Sequence, residues 1–189
     1  KEAPAPSALR FADVSGALRH LHEDRPFDDF ERQPLLPRRL SQLGPGVAWW
    51  DMNGDGQDDL IIGSGCGGQA ALFLNLGDAR FLRSTNAGWC RPIERDVAGL
   101  AGIAPGQVLA ALANYEDGLT NGIGVVLWGQ VGPISSVPLT RASYGPIAVA
   151  DYNGDGELDL VLGARAVGGR YPEPVGAALW RSEQGAFKL

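Results

Sequence analysis

Two segments of the chain concentrate hard oxygen donors in the same order. Asp51-Met-Asn53-Gly-Asp55-Gly-Gln57-Asp-Asp59 and Asp151-Tyr-Asn153-Gly-Asp155-Gly-Glu157-Leu-Asp159 align without a gap, 100 positions apart. Each places side-chain oxygens at loop positions 1, 3, 5 and 9. That pattern suits Ca2+, which takes about six to eight oxygens at ~2.3–2.6 Å and can draw them from one tightly turned segment. Position 7, Gln57 or Glu157, would add its backbone carbonyl, by analogy with other calcium loops. Gly54, Gly56, Gly154 and Gly156 allow dihedrals that a bulkier residue resists. Without a cation, the three carboxylates at positions 1, 5 and 9 repel one another. The ligand sets expected are therefore Asp51, Asn53, Asp55, Gln57 and Asp59 in one loop, and Asp151, Asn153, Asp155, Glu157 and Asp159 in the other. An EF-hand shares the first half of this pattern but needs a bidentate Glu at position 12 and flanking helices. Position 12 is Ile62 or Leu162, inside an apolar β-prone run. The plainer alternative is an Asx-rich turn that holds no metal. A degenerate third copy, with Asn114, Glu116, Asp117 and Asn121, is a weaker calcium candidate.

The loops need rigid elements on both sides. Val47–Trp50 and Ile147–Ala150 precede them, and Leu60–Gly63 and Leu160–Gly163 follow, as short apolar runs bounded by Gly and Pro. Further strands are expected at Ala71–Asn75, Arg80–Arg83, Gly176–Arg181 and Ala186–Leu189, giving an all-β fold. With the middle copy read as a strand, loop and strand over 109–129, the mean repeat is near 50 residues, the size of one four-stranded propeller blade. The organisation expected is a spacer at 1–8, an N-terminal strand and irregular cap at 9–43, and blades at about 44–95, 96–142 and 143–189. In the cap, Phe11–Val14 is a candidate strand; His20, His22, Arg38 and Arg39 read as a solvated charged surface.

Composition narrows the function. The 27 Gly and 13 Pro make up about a fifth of 189 residues, too many for a helical bundle, and no collagen period is present. A net charge of −6 with no basic face argues against a grip on nucleic-acid phosphates. No apolar run approaches the ~18 residues of a transmembrane helix. Ser64 lacks the Gly-x-Ser-x-Gly frame and no His follows it, and the glycine-rich 63–68 lacks the Lys-Ser/Thr of a phosphate loop. No nucleophile constellation emerges, so the chain is not expected to be an enzyme. Trp49, Trp50, Trp89, Trp128 and Trp180 sit beside apolar strand residues and suit a core better than a ligand surface. Cys66 and Cys90 are compatible with one disulfide closing a 25-residue segment in an oxidising compartment.

Strand, Asp-x-Asn-Gly-Asp-Gly-x-x-Asp, strand and glycine together resemble the FG-GAP or VCBS repeat of integrin α-subunit propellers and many bacterial surface proteins. Phe11-Ala-Asp-Val14, Phe30-Glu-Arg-Gln-Pro-Leu-Leu-Pro37, Leu40-Ser-Gln-Leu-Gly-Pro-Gly46 and Gly68-Gln-Ala-Ala-Leu-Phe-Leu74 are similar to ASPIC/UnbV-type members. The resemblance covers residues 9–83 and, at the level of the repeat, 144–189. It implies a β-propeller, usually of about seven blades, with calcium between the first two strands of several of them. It implies the same ten ligand residues as the spacing does. Seven blades would need roughly 300 residues or more, whereas this chain holds three, or four if 9–43 contributes. Missing blades or partner chains are then required to close the ring, or the chain is a fragment of a longer propeller. The function expected is a calcium-binding interaction module outside the cytoplasm (periplasmic, secreted or cell-surface), whose partner is another protein or a glycan. The alternative is an accessory subunit or domain of a larger enzyme or membrane-associated complex whose chemistry lies in another chain.

Overall fold

The computed structural model describes residues 12–42, 44–138, 141–183 and 186–188. Its β-prone runs form three antiparallel meanders of four strands each. The first contains β1 (Val47–Trp50), β2 (Asp59–Ile62), β3 (Ala71–Asn75) and β4 (Phe81–Arg83). The second contains β5 (Asp96–Ala104), β6 (Gln107–Ala113), β7 (Ile123–Gly129) and β8 (Gly132–Pro138). The third contains β9 (Ala142–Ala150), β10 (Asp159–Val167), β11 (Ala178–Glu183) and β12 (Ala186–Lys188). In each sheet spatial order follows chain order, as short polar connections favour. Helix among the described residues is limited to a 3-10 turn at Ser15–Ala17 and α1 (Asp29–Arg32).

Strand alternation sorts the apolar side chains onto two faces of the middle sheet. Val108, Ala110 and Leu112 of β6 join Ile61 and Leu72 of the first sheet, with Val97, Val126, Trp128 and Trp89. Leu109 and Ala111, one residue out of phase, join Tyr144, Leu160, Leu162 and Trp180 of the third sheet. The middle sheet is therefore buried on both faces, and β6 reads as an almost unbroken apolar run. Trp89, Trp128 and Trp180 are core residues, as expected; Trp49 differs, at 52% exposed.

The three sheets touch most closely at glycines. A Cβ on Gly46 would lie 2.8 Å from Gly99 Cα, and one on Gly99 would lie 2.5 Å from the Gly145 carbonyl oxygen. The Gly46 N–H donates to the Val97 carbonyl at 2.7 Å, joining the first and second sheets through their backbones. No side chain fits between these strands.

Residues 12–42 form an irregular strap that contains no strand. Residues 12–14 belong to no strand, and Phe11 lies outside the described residues. The strap contains an unexpected single helical turn, α1, capped by Asp28, whose carboxylate accepts the Phe30 and Glu31 N–H groups. Fully buried Asp29 accepts the Leu40 and Ser41 N–H groups at 2.7 and 3.0 Å, folding the strap on itself. Arg32 donates to the carbonyls of Tyr115 and Glu116, docking the strap on the second sheet. Arg38 and Arg39 are exposed, as expected, but His20 packs edge-on against Phe73 with both ring nitrogens buried and unbonded. Desolvation pushes its pKa down.

The expected Cys66–Cys90 disulfide is corrected by the structure, in which both thiols are free. Buried Cys66 turns inward and donates to the Glu94 carbonyl, while Cys90 is exposed at the end of a turn whose N–H bonds back to Asn86. Buried Trp89, held by the carbonyls of Gly129 and Gln130, fixes that turn against the second sheet.

Substituting Gly99→Ala is expected to lower stability by about 1–3 kcal/mol through overpacking, measured by urea denaturation at unchanged m-value. Stability equal to the parent chain would show that the backbones can separate without cost.

Candidate functional site

Strand pairing determines where a long loop can exist. Trp50 pairs with Asp59 and Ala150 with Asp159, so each expected calcium loop spans a β-hairpin tip, with its last Asp as the first residue of the returning strand. Asp51 Oδ1 accepts from the Gly54 N–H at 2.7 Å and Oδ2 from the Gly56 N–H at 2.9 Å. Asn53 Oδ1 accepts from the Asp55 N–H, and Asp55 Oδ1 from the Gln57 N–H. The second loop repeats this set: Asp151 accepts from Gly154 and Gly156, Asn153 from Asp155, and Asp155 from Glu157. The turn needs left-handed backbone at positions 4 and 6, met by φ of +81° and +82° at Gly54 and Gly56 and of +78° and +87° at Gly154 and Gly156.

The backbone N–H groups stabilise charge at position 1. Chiefly the Gly56 and Gly156 N–H bonds hold the Asp51 and Asp151 carboxyls below the ordinary range. Asp59 behaves differently. It is fully buried, and desolvation raises its pKa despite bonds from the Asn75 N–H at 2.8 Å and the Met52 N–H at 2.9 Å. Asp159, also buried, accepts from the Ser182 and Tyr152 N–H groups. The position-9 acids are thus struts that tie each loop to the third strand of its sheet.

Positions 1, 3 and 5 are brought together by the loop's own bonds, and each backbone N–H occupies one lone pair of an oxygen that has two. This donor set fits a hard cation. The side chains at position 7 stay apart: Gln57 is exposed, and the Glu157 carboxylate accepts from Ser182 Oγ at 2.8 Å.

The third candidate lies at a different place in its sheet. The middle hairpin from Ala104 to Gln107 is closed by Pro105-Gly106, so the second sheet has no loop where the other two carry theirs. Asn114 and Asn121 lie instead between β6 and β7, at the opposite end of the sheet. Asn114 Nδ2 donates to the Leu119 carbonyl while its Oδ1 is buried without a hydrogen-bond partner, and Asp117 forms an ion pair with Arg95, which also donates to the Asn121 carbonyl. The sequence alignment joined β6–loop–β7 to hairpins that are β1–β2 and β9–β10.

Glu116 turns inward from that loop and meets two acids the sequence reading did not single out. Carboxylate oxygens of Asp24, Asp96 and Glu116 lie within 4.8 Å of one another, a grouping neither hairpin loop shows among the described residues. Asp24 Oδ1 and Glu116 Oε1 are buried without a hydrogen-bond partner, whereas Asp96 Oδ1 accepts from the Cys66 N–H. Burial raises all three, repulsion from the neighbouring carboxylates adds to the shift at Asp96 and Glu116, and Glu116 reaches about 7. These acids come from the strap, the start of β5 and the β6–β7 loop, and no local spacing reveals that they meet.

The family model of the FG-GAP repeat matches residues 147–178, from β9 through the Asp151–Asp159 loop and β10 to the start of β11. No curated protein matches the chain. The match supports the repeat family for the third sheet, and the first sheet carries the same hairpin geometry. No helix among the described residues is long and apolar enough to cross a membrane.

Replacing Asp59 with Ala strips the acceptor from two buried N–H groups and is expected to cost about 2–4 kcal/mol, even in chelator. Asp55→Ala at the exposed tip should leave chelator stability within about 0.5 kcal/mol. Urea denaturation of both variants separates strut from tip; equal losses would contradict the division.

Proposed function

We propose that the chain is a calcium-stabilised, non-catalytic interaction module of propeller type, related to ASPIC/UnbV-type repeat proteins and acting outside the cytoplasm. The observation that carries this reading is the recurrence, in two separate sheets, of one tip geometry that gathers Asp, Asn and Asp oxygens around a Gly-permitted turn. Asp51, Asn53 and Asp55, with the Gln57 carbonyl and Asp59, hold one ion; Asp151, Asn153, Asp155, the Glu157 carbonyl and Asp159 hold the other. Calcium is structural here: it neutralises the tip acids and fixes two hairpins. Extracellular-type sites of modest affinity stay filled where calcium is millimolar, which supports the extracytoplasmic reading.

Another protein or a glycan is the partner class. A second reading, an accessory domain completed by other chains or blades, is favoured by one observation. The outward faces of the first and third sheets keep Val47, Trp49, Val161 and Leu179 between 42% and 55% exposed, and propeller blades ordinarily cover such faces. Purification from the native source distinguishes the readings, since a fixed stoichiometric complex supports the second.

Calorimetric titration of chelator-stripped protein should give two calcium ions per chain. Saturation at a hundredfold excess over Kd adds about 2.7 kcal/mol per site, or roughly 5–10 °C in Tm. Asp155→Ala should remove one ion and about half of the calcium-dependent rise. A melting curve indifferent to chelator and calcium would contradict the reading.

A further inference from the structure

Arg19 adopts a left-handed backbone, φ +47°, which is uncommon for a residue with a Cβ. Its neighbours hold it there. Leu18 packs on the cluster of Leu60, Ala71 and Phe73, and His20 lies edge-on to the Phe73 ring. Arg19, between them, is left exposed. It lines a small cavity of about 250 Å3 together with Leu21, Glu23, Gln69 and Arg83. Arg83 ends β4 and pairs with Phe73, whose ring centroid lies 6.0 Å from the guanidinium carbon. Gln69 bridges to Pro92, and the Gly68 carbonyl beside it accepts the Ile93 N–H at 2.8 Å. The Glu23 carbonyl accepts the Gly65 N–H at 3.2 Å and Ser64 Oγ at 3.1 Å. Each polar side chain of the cavity thus stands on backbone fixed by the first sheet or the strap.

Two cations therefore share one cavity in a chain whose net charge is −6. Among the described residues neither Arg19 nor Arg83 forms an ion pair, and Glu23, the acid in the lining, pairs with neither. We propose that this cavity binds a hexuronate, the carboxylate-bearing sugar ring of an acidic glycan. The proposal rests on the interaction-module reading for its partner class but not on calcium at the hairpin tips. Asn75, opposite Phe81, donates to Asp59 of the first tip, whereas Arg83 stands on the half of β4 farther from it.

The chemistry of the lining selects this class. Planar guanidinium groups match a carboxylate through paired N–H donors. The Glu23 carboxylate only accepts hydrogen bonds, so it repels a bare sulfate or phosphate and calls for hydroxyl donors on the ligand. Gln69 offers both donors and an acceptor. A ring with one carboxylate and several hydroxyls satisfies every polar group of the lining. An aspartate or glutamate side chain of a protein satisfies the arginines but brings no hydroxyl to Glu23. Leu21, 83% exposed, supplies apolar surface for the C–H face of a sugar. The cavity is smaller than the ~300–1,000 Å3 of sites that engulf a drug-sized ligand, so it holds a single ring and leaves the rest of a glycan outside.

NMR titration of the isotope-labelled intact chain with methyl glucuronide, methyl glucoside, inorganic sulfate and a blocked aspartate, in chelator and again in calcium, tests this. Millimolar methyl glucuronide should shift the amide signals of Arg19, Glu23, Gln69 and Arg83 saturably in both conditions. The neutral glucoside, sulfate and blocked aspartate should each bind about tenfold more weakly or not at all. Arg83→Gln should weaken glucuronide binding about tenfold, the usual loss for one charge-assisted hydrogen bond. Arg19→Gln should act alike and serves if the first variant does not fold. Glu23→Gln should narrow the preference for glucuronide over sulfate. The proposal is overturned by the absence of saturable shifts, by sulfate or blocked aspartate binding as tightly as glucuronide, or by unchanged affinity in both arginine variants. Glucuronide binding in a chain that takes up no calcium would leave this site standing and count against the tips alone.

Discussion

The backbones at the first strands of the three sheets meet at Gly46, Gly99 and Gly145, where a Cβ on Gly46 would strike the Gly99 backbone and one on Gly99 the Gly145 carbonyl. Gly99 is the shared point, with Gly46 on one side of it and Gly145 on the other. This spacing brings the faces of the sheets within reach of each other, so that Ile61 and Leu72 meet Val108 and Ala110 while Leu109 and Ala111 meet Leu160 and Leu162. Side chains at Gly46 or Gly99 would push the sheets apart and open both clusters, each of which depends on near-solid packing density. The hairpin tips inherit their positions from this stack. The Gly106 N–H donates to the Asp51 carbonyl and Trp50 Nε1 to the Ala104 carbonyl, so the short middle hairpin braces the start of the first long loop.

Acidic side chains are handled in two opposite ways at the two ends of the sheets. At the hairpin tips, exposed carboxylates are wrapped by backbone N–H groups of their own loop, which lowers the pKa of Asp51 and Asp151. At the other end, Asp24, Asp96 and Glu116 face each other in partial burial with few donors, and their pKa values rise. The first arrangement keeps charge ready for a cation. The second disfavours charge. Both follow from the number of donors the local backbone can offer, since net charge is the same kind in each.

Much of the fold was legible because its signals are local. Gly-Pro punctuation around Val47–Trp50 and Ile147–Ala150, and the invariant order of donors in the two loops, locate four strands and two hairpins without tertiary information. The middle sheet was harder to read. Its residues from Leu109 to Gly129 imitate strand–loop–strand, but the hairpin equivalent to the two donor-rich loops is the two-residue Pro105-Gly106 turn, which has no donor pattern to recognise. The cysteines misled for a related reason. Distance along the chain suited a bridge, whereas Trp89 fixes the neighbouring turn against the second sheet and leaves Cys90 in solvent. The acid cluster has no sequence signature, because its three members come from three elements joined only by folding. Likewise α1 is too short for periodicity to reveal; only the Asp28 cap marks it.

The central claim is that the two hairpin tips are calcium sites and that the middle sheet has none. A crystal structure grown in calcium, with anomalous scattering recorded at a wavelength where calcium contributes, tests this most directly. The account predicts two anomalous peaks per chain, one enclosed by Asp51, Asn53 and Asp55 and one by Asp151, Asn153 and Asp155, with no density between Asn114 and Asn121. Empty tips retaining their internal Asx bonds at millimolar calcium, or a peak among Asp24, Asp96 and Glu116 in their place, would contradict it.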